Sequence, residues 1–339
     1  MMYLAEVCCP ECQSTNYRVH ETYTTQNGEK REQYRCRACG TYFSETANTP
    51  LAGLRTPLSK IILVLTSLNE GSGINAVARI FQVSKNSIYG WMERMAALKE
   101  VLMLYALCHQ FLQTVIEGDE FYTRVHENRP PAESEGWTIA LMERASRFLW
   151  ELQCGERDET LFAHAIQTLA QVIAQTNDLT LVTDGERRYG NLLFAICRQT
   201  LRTGKPGRPK NTLPEGVKVR LKNKGNQSHR PGRKRPKDQA PIPEHPHTQQ
   251  GFADSQIHAN HLEAFAASIR RRLACYRRQT NTYAKAQPAL QRRLDVYWVF
   301  HNFVKIHFTT KRVPAVALGI LDAPLSWFQL FSIQLFTFN

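Results

Sequence analysis

Two cysteine pairs stand first among the residues able to do chemistry. Cys9 and Cys12 form CPEC, and Cys36 and Cys39 form CRAC. A Cys-x-x-Cys turn presents two sulfurs to one point, so two such turns can set four thiolates tetrahedrally around one zinc ion. The segment YRVHETYTTQNGEKREQYRC between them reads as two alternating strands about an Asn27-Gly28 turn. A zinc-ribbon hairpin is therefore expected. Cys8 could replace Cys9 as a ligand, although the Pro10 knuckle favours Cys9. Four protein ligands leave no open position, so the zinc is structural. Cys108, Cys154, Cys197 and Cys275 are scattered, which fits free thiols and not a disulfide framework.

Acidic residues form the second candidate group. Residues 114–125, TVIEGDEFYTRV, read as a strand carrying Glu117, Asp119 and Glu120, all possible site acids. At period two, Glu117 and Asp119 share one face and Glu120 points to the other. The apolar run from Leu179 ends in Asp184-Gly185. A carboxylate there faces the C-terminal edge of a sheet, where open α/β folds bind ligands and metals. Glu263 lies beside the apolar stripe Leu262, Phe265, Ile269, Leu273 and Tyr276 of a helical stretch, NHLEAFAASIRRRLACYRRQTNTYAKA. Asp119, Asp184 and Glu263 thus make a set of two strand acids and one helix acid. Three carboxylates can hold two Mg²⁺ ions about 4 Å apart, clamping the oxygens of an in-line phosphoryl transfer. Arg270 lies two helical turns beyond Glu263 on nearly the same line. His258, Asn260 and His261 precede Glu263, as supporting or helix-capping groups.

These acids need a scaffold. Residues 137–152 suggest two strands with a charged turn at Glu143-Arg144, and residues 158–176 form an amphipathic helix. Strands, then a helix, then the strand before Asp184 make an α/β layer in the coarse order of a ribonuclease-H-like domain. Ahead of it, residues 57–100 read as helices. Ile74–Phe81 is a short helix, Phe81-Gln82-Val83 a turn, and Ser84 an N-cap for the next helix. This is a helix-turn-helix, whose second helix enters the major groove. Lys85, Asn86, Ser87 and Tyr89 are its groove-facing candidates. The aromatic run from Ser326 to Asn339 is too short to cross a bilayer and reads as a terminal core element.

The charge balance points to a polyanionic partner. The chain carries 43 Lys+Arg against 30 Asp+Glu, a net +13. Nucleic acid comes first among such partners and an acidic membrane second. Most of the excess lies in residues 201–240, with 13 basic residues against two acids. KPGRPK and RPGRKRPK in this stretch, with Arg233, Lys234 and Arg235, suit phosphate contacts that read no sequence. Only Val217–Leu221 looks like a strand there. No apolar run reaches the ~18 residues of a membrane span, and Cys8 interrupts any signal-peptide core. A soluble, intracellular protein is expected.

In this order the motifs resemble a bacterial DDE transposase, most of all the insertion-sequence-one family. The resemblance covers nearly the whole chain: the cysteine ribbon, the helix-turn-helix, GDEF at 118–121, TDGERRYG at 183–190, IHANHLEA at 257–264, RRQTNTYAK at 277–285 and YWVFHNFVKIHFTTKRVPAVALG at 297–319. It implies a zinc ribbon over 1–48, a helix-turn-helix domain over 49–100, a linker helix over 101–113 and an α/β, ribonuclease-H-like catalytic core over 114–339 with a basic insertion at 201–250. It implies catalytic Asp119, Asp184 and Glu263 with two Mg²⁺ (or Mn²⁺) ions, and Arg270 on the DNA end. It further implies DNA as partner (terminal inverted repeats and target), a homodimer or larger synaptic assembly, no membrane, and a cytoplasmic, nucleoid-associated location. Water would cut at the element ends, and the freed 3′-OH would attack target DNA. Two other functions fit in part. A zinc-ribbon/helix-turn-helix regulator accounts for residues 1–100 and leaves the acids unexplained. A different ribonuclease-H-like nuclease, such as a junction resolvase, would use the acids without joining ends.

Overall fold

Alternating residues build the first sheet. In the computed structural model, which describes residues 7–25, 28, 30–127, 129–202, 207–222, 242–248, 252–277 and 281–335, β1 (Tyr17–Thr24) and β2 (Lys30–Cys36) pair antiparallel and β3 (Tyr42–Ser44) adds to β2. Tyr17, Tyr34 and Phe43 stack with ring centroids 4.6–5.7 Å apart. With Cys9 and Cys36 they make a core separate from the main one. So few apolar side chains hold a fold only with a staple such as a metal. Arg233, Lys234 and Arg235 lie outside the described residues.

Four helices follow: α1 (Leu58–Asn69), α2 (Ile74–Phe81), α3 (Lys85–Ala96) and α4 (Leu98–Leu107). Gln82 ends α2 in the left-handed region at φ 50°. Ser84 then caps α3, its hydroxyl accepting from the Ser87 N–H at 3.0 Å. Ile88, Trp91, Met92 and Met95 form the buried stripe of α3.

The main sheet holds β4 (Thr114–Tyr122), β5 (Trp137–Glu143) and β6 (Leu149–Gly155), then, after α5 (Glu159–Ile173), β7 (Leu179–Thr183). α6 (Arg187–Cys197) and a two-stranded ribbon, β8 (Gln199–Leu201) with β9 (Lys210–Thr212), lead to β10 (Val217–Leu221). The spatial order is β10-β7-β4-β5-β6. β4, β7 and β10 are parallel, and β5 runs against both its neighbours. This is the ribonuclease-H-like order in a mixed α/β fold. β7 is buried along its whole length, as an unbroken apolar strand between two parallel partners should be.

α7 (Asn260–Arg272) and α8 (Gln287–Val299) complete the core, α8 running into a π-helical turn at Phe300–Val304. α7 packs on the β4 face that carries Phe121, whose ring lies 6.3 Å from Phe265. α6 takes the other face, where Gly118 leaves room for Leu141, Thr183 and Tyr189. β6 is a sheet edge, and its backbone bonds to Gln291 and Asn302 side chains instead of a further strand. Among the described residues no helix is long and apolar enough to cross a membrane.

Two features depart from the sequence reading. The helix after Asn260 ends at Arg272 and does not run through Tyr276. Leu273 is extended, at φ −109° and ψ 114°. Leaving the helix lets Tyr276 bury its ring against Phe121 and bond its hydroxyl to Thr138, while the Cys275 carbonyl accepts from Thr123 Oγ1. The second is β10, which lies inside the basic stretch yet forms the fifth strand of the main sheet. Its Lys218 and Arg220 are buried against Asp178 and Glu244 and are spent inside the protein.

Lys99 ties the helices to the sheet. Its ammonium reaches Glu151 on β6 at 3.1 Å and Asp295 on α8 at 2.9 Å. Burial pushes the Glu151 carboxyl up, but Lys99, the Thr168 hydroxyl and the Leu152 N–H outweigh it and hold it below the usual carboxylate range. A depressed carboxylate stabilises above its unfolded pKa and loses that contribution as pH falls through its folded pKa. Lys99→Met leaves Glu151 charged and unpaired in the core. It should cost about 3–5 kcal/mol in denaturant melts at neutral pH, with the gap to wild type narrowing in acid.

Candidate active site

The register of β4 and β7 brings the strand acids together. Gly118 pairs with Thr183, so Asp119 and Asp184 are the next residues in step on adjacent strands, whose spacing is about 4.8 Å. Gly185 follows at φ 107°, a conformation glycine tolerates, and turns the chain into α6. A carboxylate oxygen each from Asp119, Asp184 and Glu120 lies within 4.8 Å of the others. Asp119 Oδ1 accepts from the Glu120 N–H at 2.9 Å. Three clustered carboxylates repel one another unless protons or cations intervene, and hard oxygen donors suit Mg²⁺ or Mn²⁺.

Glu120 differs from its neighbours. Its side chain is buried, with one oxygen ion-paired to Arg157 and the other accepting from Tyr189 at 3.2 Å. Burial pushes its carboxyl up, Arg157 draws it back, and Asp184 and Glu186 add to the rise, leaving it above the usual range. Burial and the adjacent Glu120 charge push the Tyr189 hydroxyl well up as well. Period two sets Glu120 on the face opposite Asp119, and its partners Tyr189 and Arg157 confirm that. Just past the last β4–β7 pair, where β7 ends, the two faces nevertheless converge on one spot, which alternation alone does not foretell.

Glu263 lies outside that 4.8 Å group. Its carboxylate is half exposed and 3.7 Å from the Lys222 ammonium. Lys222 is itself tied to the acid edge, since its N–H donates to the Thr183 carbonyl at 2.7 Å. Arg270 sits half-buried in the last turn of α7.

Glu117 holds the start of α7. It has no solvent exposure and accepts from Arg144 Nε at 2.8 Å, from the Leu262 N–H at 3.0 Å, and bonds His261 Nδ1 at 2.7 Å. Arg144 also donates to the Gln256 and His258 carbonyls. Glu117, His258 and His261 could geometrically share a metal. The guanidinium already on Glu117 makes this an ion-paired cap for the helix N-terminus instead. The two strand acids on one face thus divide, with Glu117 anchoring α7 and Asp119 reaching the edge. His261 takes the supporting place expected of it.

The four ribbon sulfurs of Cys9, Cys12, Cys36 and Cys39 lie within 4.8 Å of one another. Cys9 and Cys39 are 3.4 Å apart, and Cys12 and Cys36 3.6 Å. A tetrahedral zinc with bonds of about 2.3 Å sets sulfurs roughly 3.8 Å apart, so the donor set and spacing fit one structural ion. Bonding with Thr41 pulls the Cys39 thiol down to about 6, whereas Cys12 is pushed up to about 12 beside the other sulfurs. Cys8 is turned away, with its sulfur 3.1 Å from Gln334 Oε1. On α3, Lys85, Asn86 and Tyr89 are exposed, and Ser87 is half-buried beside Ser84.

Removing the Glu117 carboxylate strands Arg144 and uncaps α7. Glu117→Ala should cost about 3–5 kcal/mol in denaturant melts. Amide exchange should quicken across residues 257–272 before it does in β7.

No family model matches the sequence, and no curated protein matches it. Among solved structures, the chain is similar to the Mos1 mariner paired-end complex with Mn, at 11% identity over 42% of this chain and 57% of that chain, with a TM-score of 0.17. It is similar too to the Mos1 transposase paired-end complex with left transposon end, at 12% identity, the same coverage and a TM-score of 0.17. The chain spans little more than half the length of those relatives.

Proposed function

We propose that the chain is a DDE-type DNA transposase of the insertion-sequence-one kind. It cuts at the ends of a mobile element and joins the freed 3′-OH to target DNA. The observation that carries this reading is the meeting of Asp119 of β4 and Asp184 at the C-terminal end of β7, in a sheet of ribonuclease-H order. Asp119, Asp184 and Glu263 hold two Mg²⁺ or Mn²⁺ ions. When bound, such ions neutralise charge on the attacking and leaving oxygens of an in-line displacement. The protein's own part is to position: Glu117 fixes the helix that carries Glu263, and Lys222, which follows β10, ion-pairs with the Glu263 carboxylate.

The other modules hold DNA. Lys85, Asn86, Ser87 and Tyr89 read the terminal inverted repeats from α3, and Arg270 touches the element end. Arg233, Lys234 and Arg235 neutralise phosphates. One zinc ion staples the ribbon through Cys9, Cys12, Cys36 and Cys39. Two ends must be cut together, so the working form is a homodimer or larger synaptic assembly, on the DNA of a bacterial cytoplasm.

Plasmids carrying candidate element ends test the catalytic set. Asp119→Asn, Asp184→Asn and Glu263→Gln should each reduce Mg²⁺-dependent cleavage and joining by roughly 100-fold or more, while duplex binding persists. Glu120→Gln should retain both reactions. If Glu120→Gln is dead and Glu263→Gln active, Glu120 is the third ligand. Cleavage with no joining would make the chain a ribonuclease-H-like nuclease such as a junction resolvase. Binding with no metal-dependent cleavage would leave a zinc-ribbon/helix-turn-helix regulator.

Metal analysis tests the ribbon. Wild type should carry one zinc per chain, Cys9→Ser should lose it, and Cys8→Ser should keep it. Zinc lost from Cys8→Ser but kept by Cys9→Ser would reassign the ligand.

A further inference from the structure

Beyond β4 the chain carries a cationic cluster with no role in the interactions above. Arg124 stands five residues after Asp119, on the continuation of the same strand. Val125 forms a parallel bridge to Ala284, and the His126 N–H donates to the Ala284 carbonyl at 2.9 Å. This docks the segment after Asn281 beside the strand's exit. Arg124 Cζ then lies 4.1 Å from the centroid of the Tyr283 ring, and Lys285 Nζ lies 3.6 Å from it.

Cation–π contacts hold a ring and a cation in place but neutralise no charge. Among the described residues neither Arg124 nor Lys285 has an ion pair. The acid closest in sequence to Arg124, Glu127, is taken by His126 and Arg129, each at 3.5 Å. Arg124 Nε is buried with no hydrogen-bond partner, and a buried donor left unmade is costly. The Lys285 hydrogen bond, with the charges of Lys285 and Arg124, pulls the Tyr283 hydroxyl below its usual range. A guanidinium fork, an ammonium and a hydroxyl on one ring suit the non-bridging oxygens of a phosphodiester.

We infer that Arg124, Tyr283 and Lys285 form a phosphate subsite that grips the DNA backbone beside the acid edge. The inference rests on the polynucleotide reading given above. Five residues of extended chain span at most roughly 17 Å, about five nucleotide rises. The subsite therefore holds a phosphate within about five nucleotides of the one that reacts. It reads no sequence and sets the path of the strand across Asp119 and Asp184.

Counterion release makes this measurable. Binding of the intact, zinc-loaded chain to a short duplex of arbitrary sequence is followed against salt concentration. Arg124→Gln/Lys285→Gln should lower the slope of log K against log salt by about one to two, and weaken binding alike for every sequence. Lys285→Gln alone, at an exposed position, should lower it by about one with an unchanged melting temperature. Lys285→Arg should keep the wild-type slope. A wild-type slope in both Gln variants would overturn the subsite and leave the proposed function standing. If wild type binds no duplex at low salt, the subsite and the polynucleotide reading fall together.

Discussion

A carboxylate without access to water sits in the middle of the central strand, and much of the molecule is arranged around satisfying it. Glu117 cannot stay charged in the core unless donors reach it from elsewhere. One arrives from the β5–β6 turn as Arg144 and two from the start of α7 as His261 and the Leu262 N–H. The same carboxylate therefore fixes the position of a turn, a loop and a helix. Glu263 inherits its place from this arrangement, being the residue after Leu262. A mixed α/β sheet could pack a helix here with apolar contacts alone. The buried charge adds a requirement for one particular docking of that helix.

The acid edge depends on a simpler rule. Parallel strands in register deliver residues of equal rank to the same height. Asp119 and Asp184 follow a paired Gly118 and Thr183 and so meet at the same height on adjacent strands. Gly118 has a second use, since a side chain there would press on Leu141 and Thr183, 3.2 and 3.3 Å from its first carbon, with Tyr189 in ordinary contact at 3.5 Å. Tyr189 in turn holds Glu120.

Much of this is legible in the sequence, for physical reasons that also mark where legibility ends. The apolar run of β7, the paired strands β1 and β2 and the stripe of α5 are local signals, and the structure reproduces them, although β1 is exposed almost throughout and does not alternate. Ser84 is a local cap and it caps. The Cys-x-x-Cys turns declare their own geometry. What could not be read depends on contacts distant in sequence. Arg144 meets Glu117, and His261 joins them from 144 residues beyond Glu117. The end of α7 at Arg272 is dictated by Thr138 and Thr123, which no helical periodicity near Leu273 reveals. Val217–Leu221 is legible as a strand, but a basic, proline-rich context hid its membership of the main sheet.

The contacts joining the helical region to the core carry a mechanical consequence. α3, which presents Lys85 and Tyr89 outward, packs against α8, and Glu93, one turn beyond Tyr89, meets Arg292 of α8 at 3.0 Å. Asn69 of α1 accepts from Arg293 of the same helix at 2.8 Å, and Lys99 reaches both α8 and β6. α8 is thus a shared spine. The outward face of α3 is thereby tied through α8 to the sheet that carries Asp119 and Asp184. Changing the outward residues of α3 would leave these ties to α8 and β6 in place.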